Sequence, residues 1–250
     1  MTSPKARIKA YTLNVTQIVK TIERLQLRIA ARFPGSGLAN VCADLVQTAQ
    51  VTGQRARALA RPYYGLRLLI VVFVAAGLGA QIYIAKLIDW GDVLRRADPV
   101  GITQGLDSVV NLLLLAFAAI WFVMNAEMRI KRRRVLRWLY ELRSLAHVID
   151  MHQLTKDPSV ELGLGSTTPV SPDHQMKDFE LSRYLDYCTE MLALIAKLAA
   201  LYAGEIQDEA IISAVNEVED LTSDLGRKIW QKIIIVSNLE ERTASLPSGR

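Results

Sequence analysis

The sequence predicts an all-α protein: a two-span transmembrane helical hairpin with a cytoplasmic helical domain of bundle or coiled-coil-like packing. Three observations lead there. Residues 68–85 and 109–126 form two eighteen-residue runs without a single Asp, Glu, Lys or Arg. Apolar residues at alternating three and four spacing recur in every other long segment, which is the helical period. The only β-branched competitor is Ile233-Ile234-Ile235-Val236, and its helical flanks outvote it.

At a rise of ~1.5 Å per residue each run spans roughly 27 Å, close to the hydrocarbon thickness of a bilayer. A helix on a soluble protein keeps a polar face, and these have none. Arg55, Arg57, Arg61 and Arg67 precede the first run, with Tyr63 and Tyr64 at headgroup depth. Arg129, Lys131, Arg132, Arg133, Arg134 and Arg137 follow the second, with Trp138 just beyond. Between the runs, 86–108 holds Lys86, Arg95 and Arg96 against Asp89, Asp92, Asp98 and Asp107. The excess of Lys and Arg marks the cytoplasmic side. Both termini are therefore expected in the cytoplasm and loop 86–108 outside, as a multi-pass protein of the plasma (inner) membrane. Tyr83, Trp90 and Trp121 suit interfacial positions. The opening residues are too polar for a secretory leader, so the first run is expected to act as an uncleaved anchor. The alternative is a buried helical hairpin in a soluble protein.

Taken in order, residues 1–62 predict a basic N-terminal helical hairpin. Residues 1–10 are expected to fray. Residues 11–32 carry Val15, Ile18, Ile22, Leu25 and Ile29 on one seam. Pro34-Gly35-Ser36-Gly37 ends that helix, and 38–59 carries Leu38, Val41, Leu45 and Ala49 on one face. Pro62 marks a fresh start before the transmembrane hairpin, 63–128. Residues 129–156 predict a stalk continuous with the second span, because no Gly or Pro interrupts 109–157; Val135, Trp138, Leu142, Leu145, Ile149 and His152 form its seam. Gly, Ser, Thr and Pro crowd 157–175, a linker. Residues 176–242 predict an acidic helical pair broken at Gly204. Its seams are Leu181, Leu185, Cys188, Leu192, Ile195, Ala199 and Tyr202, then Ile211, Val215, Val218, Leu225, Ile229, Ile233 and Val236. The tail, 243–250, is expected to be disordered.

Charge divides along the chain. Residues 1–67 carry 11 basic and 2 acidic side chains, whereas 144–250 carry 9 and 17. The basic arm is expected either to dock on the acidic region, in the same or a neighbouring subunit, or to lie against anionic lipid headgroups. Nucleic acid is a weaker partner, since no aromatics interleave with the basic residues. Cys42 and Cys188 fall at or beside seam positions and are expected as reduced, buried thiols.

Candidate site residues follow. Ala75, Ala76, Gly79 and Ala80 make a small-residue patch that lets two membrane helices approach closely. Gln81, Asn111, Asn125 and Glu127 are the pore-lining candidates if several subunits surround an axis; Glu127 is also placed to pair with Lys131 four residues on. Arg129, Lys131, Arg132, Arg133 and Arg134 are the lipid-headgroup residues. No ionisable side chain lies inside either run, which speaks against a proton relay. His147 and Asp150, three apart on a helix, are a weak metal or acid–base candidate, since His152 points about 140° away; the bland alternative is a surface hydrogen bond between them. Gly163-Leu164-Gly165-Ser166 follows no strand and makes a poor phosphate loop. No catalytic residue and no cofactor are expected.

The layout is similar in outline to small two-span membrane proteins with cytoplasmic helices, including two-span effector modules of bacterial defence operons. The leading expectation is an oligomeric integral membrane protein whose cytoplasmic helical domain gates or organises the membrane part, as a pore or signalling effector. The alternatives are a membrane-anchored scaffold recruiting a cytoplasmic partner and, third, a membrane-bound enzyme.

Overall fold

The computed structural model describes residues 13–59, 61–87, 99–156 and 176–245, and all regular structure among them is α-helical. The helices are α1 (Val15–Arg32), α2 (Gly37–Leu59), α3 (Tyr64–Leu87), α4 (Pro99–Leu154), α5 (Asp178–Glu205) and α6 (Glu209–Ser245). The expectations for residues 1–10, for Trp90 and the loop around it, for the linker 157–175 and for the last five residues lie outside the described residues. The chain divides into two units, Met1–Ala60 with Val135–Arg250, and Arg61–Arg134.

In the first unit most predicted seam positions are buried in the core, while Val15, Trp138, Leu145, His152 and Ile233 are half-buried. α1 starts where the Asn14 side chain accepts the Thr16 N–H at 2.9 Å, so one orphan donor of the first turn is satisfied. It buries Ile18, Ile22, Leu25 and Ile29. Gly35, at φ 70°, takes the left-handed conformation that turns the chain into α2, a conformation costly for residues with a Cβ. α2 buries Leu38, Val41, Leu45 and Ala49 against it. α1 and α2 pack on each other and on α5, and α5 packs along α6 after the short connection 206–208. Asp208 starts α6, its Oδ1 accepting the Ala210 N–H at 3.1 Å. Val135, Leu139, Leu142, Ala146 and Ile149 of α4 complete the same hydrophobic cluster. Each fully buried Leu or Ile contributes about 2 kcal/mol of transfer free energy.

Some boundaries differ from the sequence reading. α4 begins at Pro99, so 99–108 is helical rather than loop. Proline is favoured in the first turn, where its missing N–H has no partner to lose. α6 continues to Ser245, past the expected end near Glu241.

Among the described residues two helices are long and apolar enough, by length and composition alone, to cross a membrane: Val109–Leu154, whose most apolar stretch is not buried, and Phe179–Glu205, whose most apolar stretch is 56% buried. This is not the pair of runs expected. Within α3 the described residues give only the shorter apolar stretch Arg67–Gly77. Phe179–Glu205 passes because Leu181, Leu185, Leu192, Ile195 and Leu198 are its core positions, all buried in the first unit.

Candidate functional site

Burial in the second unit is inverted. Among its described side chains, the buried ones are Glu127 and Lys131, a charged pair. Leu68, Phe73, Leu113, Phe117, Trp121 and Phe122 are all exposed. A water-soluble fold distributes these residue types the other way round.

The pair lies where the end of the second apolar run meets the start of α3. Helical spacing puts Lys131 one turn after Glu127, and its Nζ reaches Glu127 Oε1 at 3.0 Å. Pro62 precedes α3, and the first free backbone donor, the Tyr63 N–H, points at Glu127 Oε1 at 3.4 Å. The carboxylate therefore sits at a helix N-terminus, where unpaired N–H groups and the helix dipole favour negative charge. Arg67 Nε stands 3.6 Å from Glu127 Oε2, with most of its side chain exposed. The Tyr63 ring gathers the remaining cations. Lys131 Nζ lies 5.6 Å from its centroid and the Arg134 guanidinium 5.5 Å, and Arg134 donates to the Tyr63 hydroxyl at 2.8 Å. Glu127 lies one residue beyond the second run. Burial pushes its carboxyl up, but the Lys131 ammonium, the Tyr63 N–H and the Arg67 charge together outweigh that and hold it below the ordinary value.

Beside this cluster is a hollow of about 540 Å³ lined by Arg67, Val71, Ile120, Val123, Glu127 and Lys131, among others. Further along the two helices a hollow of about 180 Å³ has almost entirely apolar walls, including Phe73, Gly77, Leu112 and Ala116.

The sequence candidates fare unequally. Glu127 makes the i,i+4 pair that its spacing predicts. Lys131 departs from its headgroup assignment, because its ammonium is buried against Glu127 and the Tyr63 ring. Arg129, Arg132, Arg133 and Arg134 are exposed. Ala75, Ala76, Gly79 and Ala80 are also exposed, and a Cβ added at Gly79 would meet nothing within 4 Å. Asn111 is exposed, while Asn125 turns back on its own helix, donating to the Trp121 carbonyl at 2.8 Å. The Gln81 side chain lies outside the described residues. His147 is exposed, and Asp150 accepts from Gln153 Nε2 at 2.6 Å. His152 is half-buried against Gly37. Among the described residues no group of three His, Cys, Asp or Glu could hold a metal ion.

Nothing in the spacing of the sequence links Tyr63 or Arg67 to Glu127, more than fifty residues away. The signal lies in topology: in a hairpin, the end of the second helix returns beside the start of the first. In the other unit one ion pair joins the basic N-terminal helix to the acidic C-terminal pair, Arg28 Nη2 to Glu190 Oε2 at 2.5 Å. Arg28, Arg32, Arg183 and Tyr187 line a hollow there of about 430 Å³, with Arg183 paired to Asp186. No protein-family model, curated protein or solved structure matches the chain.

Proposed function

We propose that the chain is an oligomeric two-span integral membrane protein whose cytoplasmic helical bundle gates or organises the membrane part, in a pore or signalling role. The observation carrying this reading is the inverted burial among the described side chains between residues 61 and 134, with large apolar side chains exposed and a charged pair buried. Lipid tails are the solvent in which that distribution costs least. The spans run over about 68–85 and 109–126, and the surplus of Lys and Arg at their outer flanks puts both termini in the cytoplasm of a plasma (inner) membrane. Two apolar helices cannot enclose water alone, so conduction requires several copies. The open face at Ala75, Ala76, Gly79 and Ala80 supports close contact with a second copy.

The test has two parts. Size measurement of the detergent-solubilised chain is expected to give a multimer, and proteoliposomes are expected to leak ions. A strict monomer overturns the pore. Assembly without flux favours the second reading, a membrane-anchored scaffold recruiting a cytoplasmic partner. That reading draws on α6, where Trp230 and Ile234 stand exposed one turn apart.

A further inference from the structure

We propose that the hollow between α1 and α5 is a binding site for a phosphoryl group, held by Arg28, Arg32 and Arg183. The inference stands apart from the two-span reading, because every residue it uses belongs to the first unit.

Two helices bring the arginines together. Arg28 and Arg32 lie one turn apart on α1, and Phe179, Arg183 and Tyr187 follow one another at four-residue spacing on α5. Arg28 meets Tyr187 and Glu190, while Arg32 meets Phe179, so the two helices run antiparallel here. The buried Tyr187 ring positions two guanidinium groups, Arg28 at 5.7 Å and Arg183 at 5.8 Å from its centroid. The Phe179 ring holds the third, Arg32, at 5.3 Å.

The hollow measures about 430 Å³, and among the described residues every charged side chain lining it is an arginine. Glu190 and Asp186 pair with Arg28 and Arg183 but are not among those lining residues. The carboxylates thus hold two guanidinium groups in place and leave the walls positive, a field that draws anions. Donors remain for a ligand. Contact with a ring face uses none of the five N–H groups of Arg32. Asp186 takes Arg183 Nη1 at 2.9 Å, and Arg183 Nε is buried without a hydrogen-bond partner. A carboxylate brings two oxygens to such a cluster, whereas a terminal phosphoryl group brings three, and the arginine fork fits phosphate geometry. The volume falls in the range of small-molecule pockets, roughly 300–1,000 Å³, so the phosphoryl group is expected to come with a body attached. Ala31 in the wall keeps that space open with its small side chain.

The experiment titrates inorganic pyrophosphate into the full chain in non-ionic detergent, followed by calorimetry. The salt is roughly 0.15 M, which screens diffuse surface charge. Saturable binding at one site per chain is expected. Arg32→Gln and Arg183→Gln are each expected to weaken it at least about tenfold through the loss of a charge-assisted hydrogen bond. Ala31→Leu is expected to weaken it by filling the hollow with every charge kept. Arg24→Gln removes a charge one turn before Arg28, at a residue that does not line the hollow, and should change little. Arg24, Ala31 and Arg32 are exposed, so these variants are expected to keep the wild-type unfolding midpoint. Absence of saturable binding overturns the site. Equal weakening by Arg24→Gln and Arg32→Gln also overturns it, because the anion then answers to the net charge of α1. Succinate bound as tightly as pyrophosphate overturns the phosphoryl assignment. Doping the micelles with phosphatidic acid, against phosphatidylcholine at the same fraction, separates two sources of the group. Competition with pyrophosphate supports the site with a lipid headgroup as its source, and undiminished pyrophosphate binding supports it with a soluble molecule.

Discussion

The Arg55 guanidinium of α2 lies 5.0 Å from the centroid of the Trp138 ring of α4, and its Nη1 donates to Glu141 at 2.6 Å. The indole also stacks on Tyr202 of α5, with centroids 5.7 Å apart and planes 29° from parallel. Tyr202 is fully buried and its hydroxyl bonds Thr52 Oγ1 at 3.4 Å. One half-buried aromatic thus ties three helices together. Trp138→Ala is expected to cost about 3 kcal/mol through the cavity it leaves. Arg55→Lys is expected to cost about 1 kcal/mol, because an ammonium neither stacks flat nor presents a fork to Glu141. In the Trp138→Ala background the Arg55→Lys cost should shrink, since the two share one interaction. Thermal unfolding of the full chain followed by circular dichroism checks all three.

Cys42 and Cys188 have no accessible surface, and burial pushes each thiol from an ordinary 9.0 up to about 12. For Cys42 the nearby Arg28 charge opposes the shift without cancelling it. Neither thiol is expected to react with Ellman's reagent in the folded protein at neutral pH, and both should react after denaturation. The linkage follows from the direction. A folded thiol that ionises later than the unfolded one contributes stability below 9.0 that is lost as pH rises toward 12. Replacing both cysteines with Ala should flatten this alkaline slope in unfolding midpoints measured across that range.

At Gly53 α2 lies tight against α1: an added Cβ would lie 2.5 Å from Val15 Cγ1. Alanine is the better helix former by roughly 1 kcal/mol. At this position the overlap with a β-branched neighbour of restricted rotamers should win, so Gly53→Ala is expected to lower stability by about 1 kcal/mol. Adding Val15→Ala removes the obstacle. In that background Gly53→Ala should become stabilising, and the reversal of sign in thermal midpoints is the diagnostic result.

Most of the first unit was legible because its core is periodic. The α5 seam predicted from spacing, Leu181 through Tyr202, is buried at every position, and so are the α6 positions except Ile233, which is half-buried. Spacing alone says which face of a helix is apolar, not which side chains meet across faces. The Arg55–Trp138 and Trp138–Tyr202 contacts join residues far apart in sequence, so no local pattern announced them. The second unit was legible in a different way: the apolar runs stood out by composition, but the Glu127 cluster depends on how two helix ends meet. Lys131 shows the limit clearly. In sequence it is one of six basic residues between 129 and 137, and only its position one turn after Glu127 separates its buried ammonium from the exposed guanidinium groups beside it.

Glu127 gives the sharpest test of the second unit. Its carboxylate balances the buried Lys131 ammonium and accepts the Tyr63 N–H at the start of α3. Glu127→Gln keeps the shape and one acceptor but leaves the Lys131 ammonium buried without its counter-charge. The expected loss is about 2 kcal/mol, most of it the cost of the orphaned charge rather than of the lost attraction. Lys131→Met alone should cost less, because the remaining carboxylate still has the N-terminus of α3 and Arg67. Combining Glu127→Gln with Lys131→Met should recover much of the loss, since replacing both partners removes the unpaired charge. The pH dependence has a definite sign. The folded carboxyl titrates below its ordinary value, so its contribution is complete above that value and is lost as pH falls through the folded one. The acid limb of the unfolding midpoint should therefore be shallower in Glu127→Gln than in the wild type. An unchanged acid limb, together with a Glu127→Gln midpoint equal to that of the wild type, would show that this pair does not hold α3 to α4.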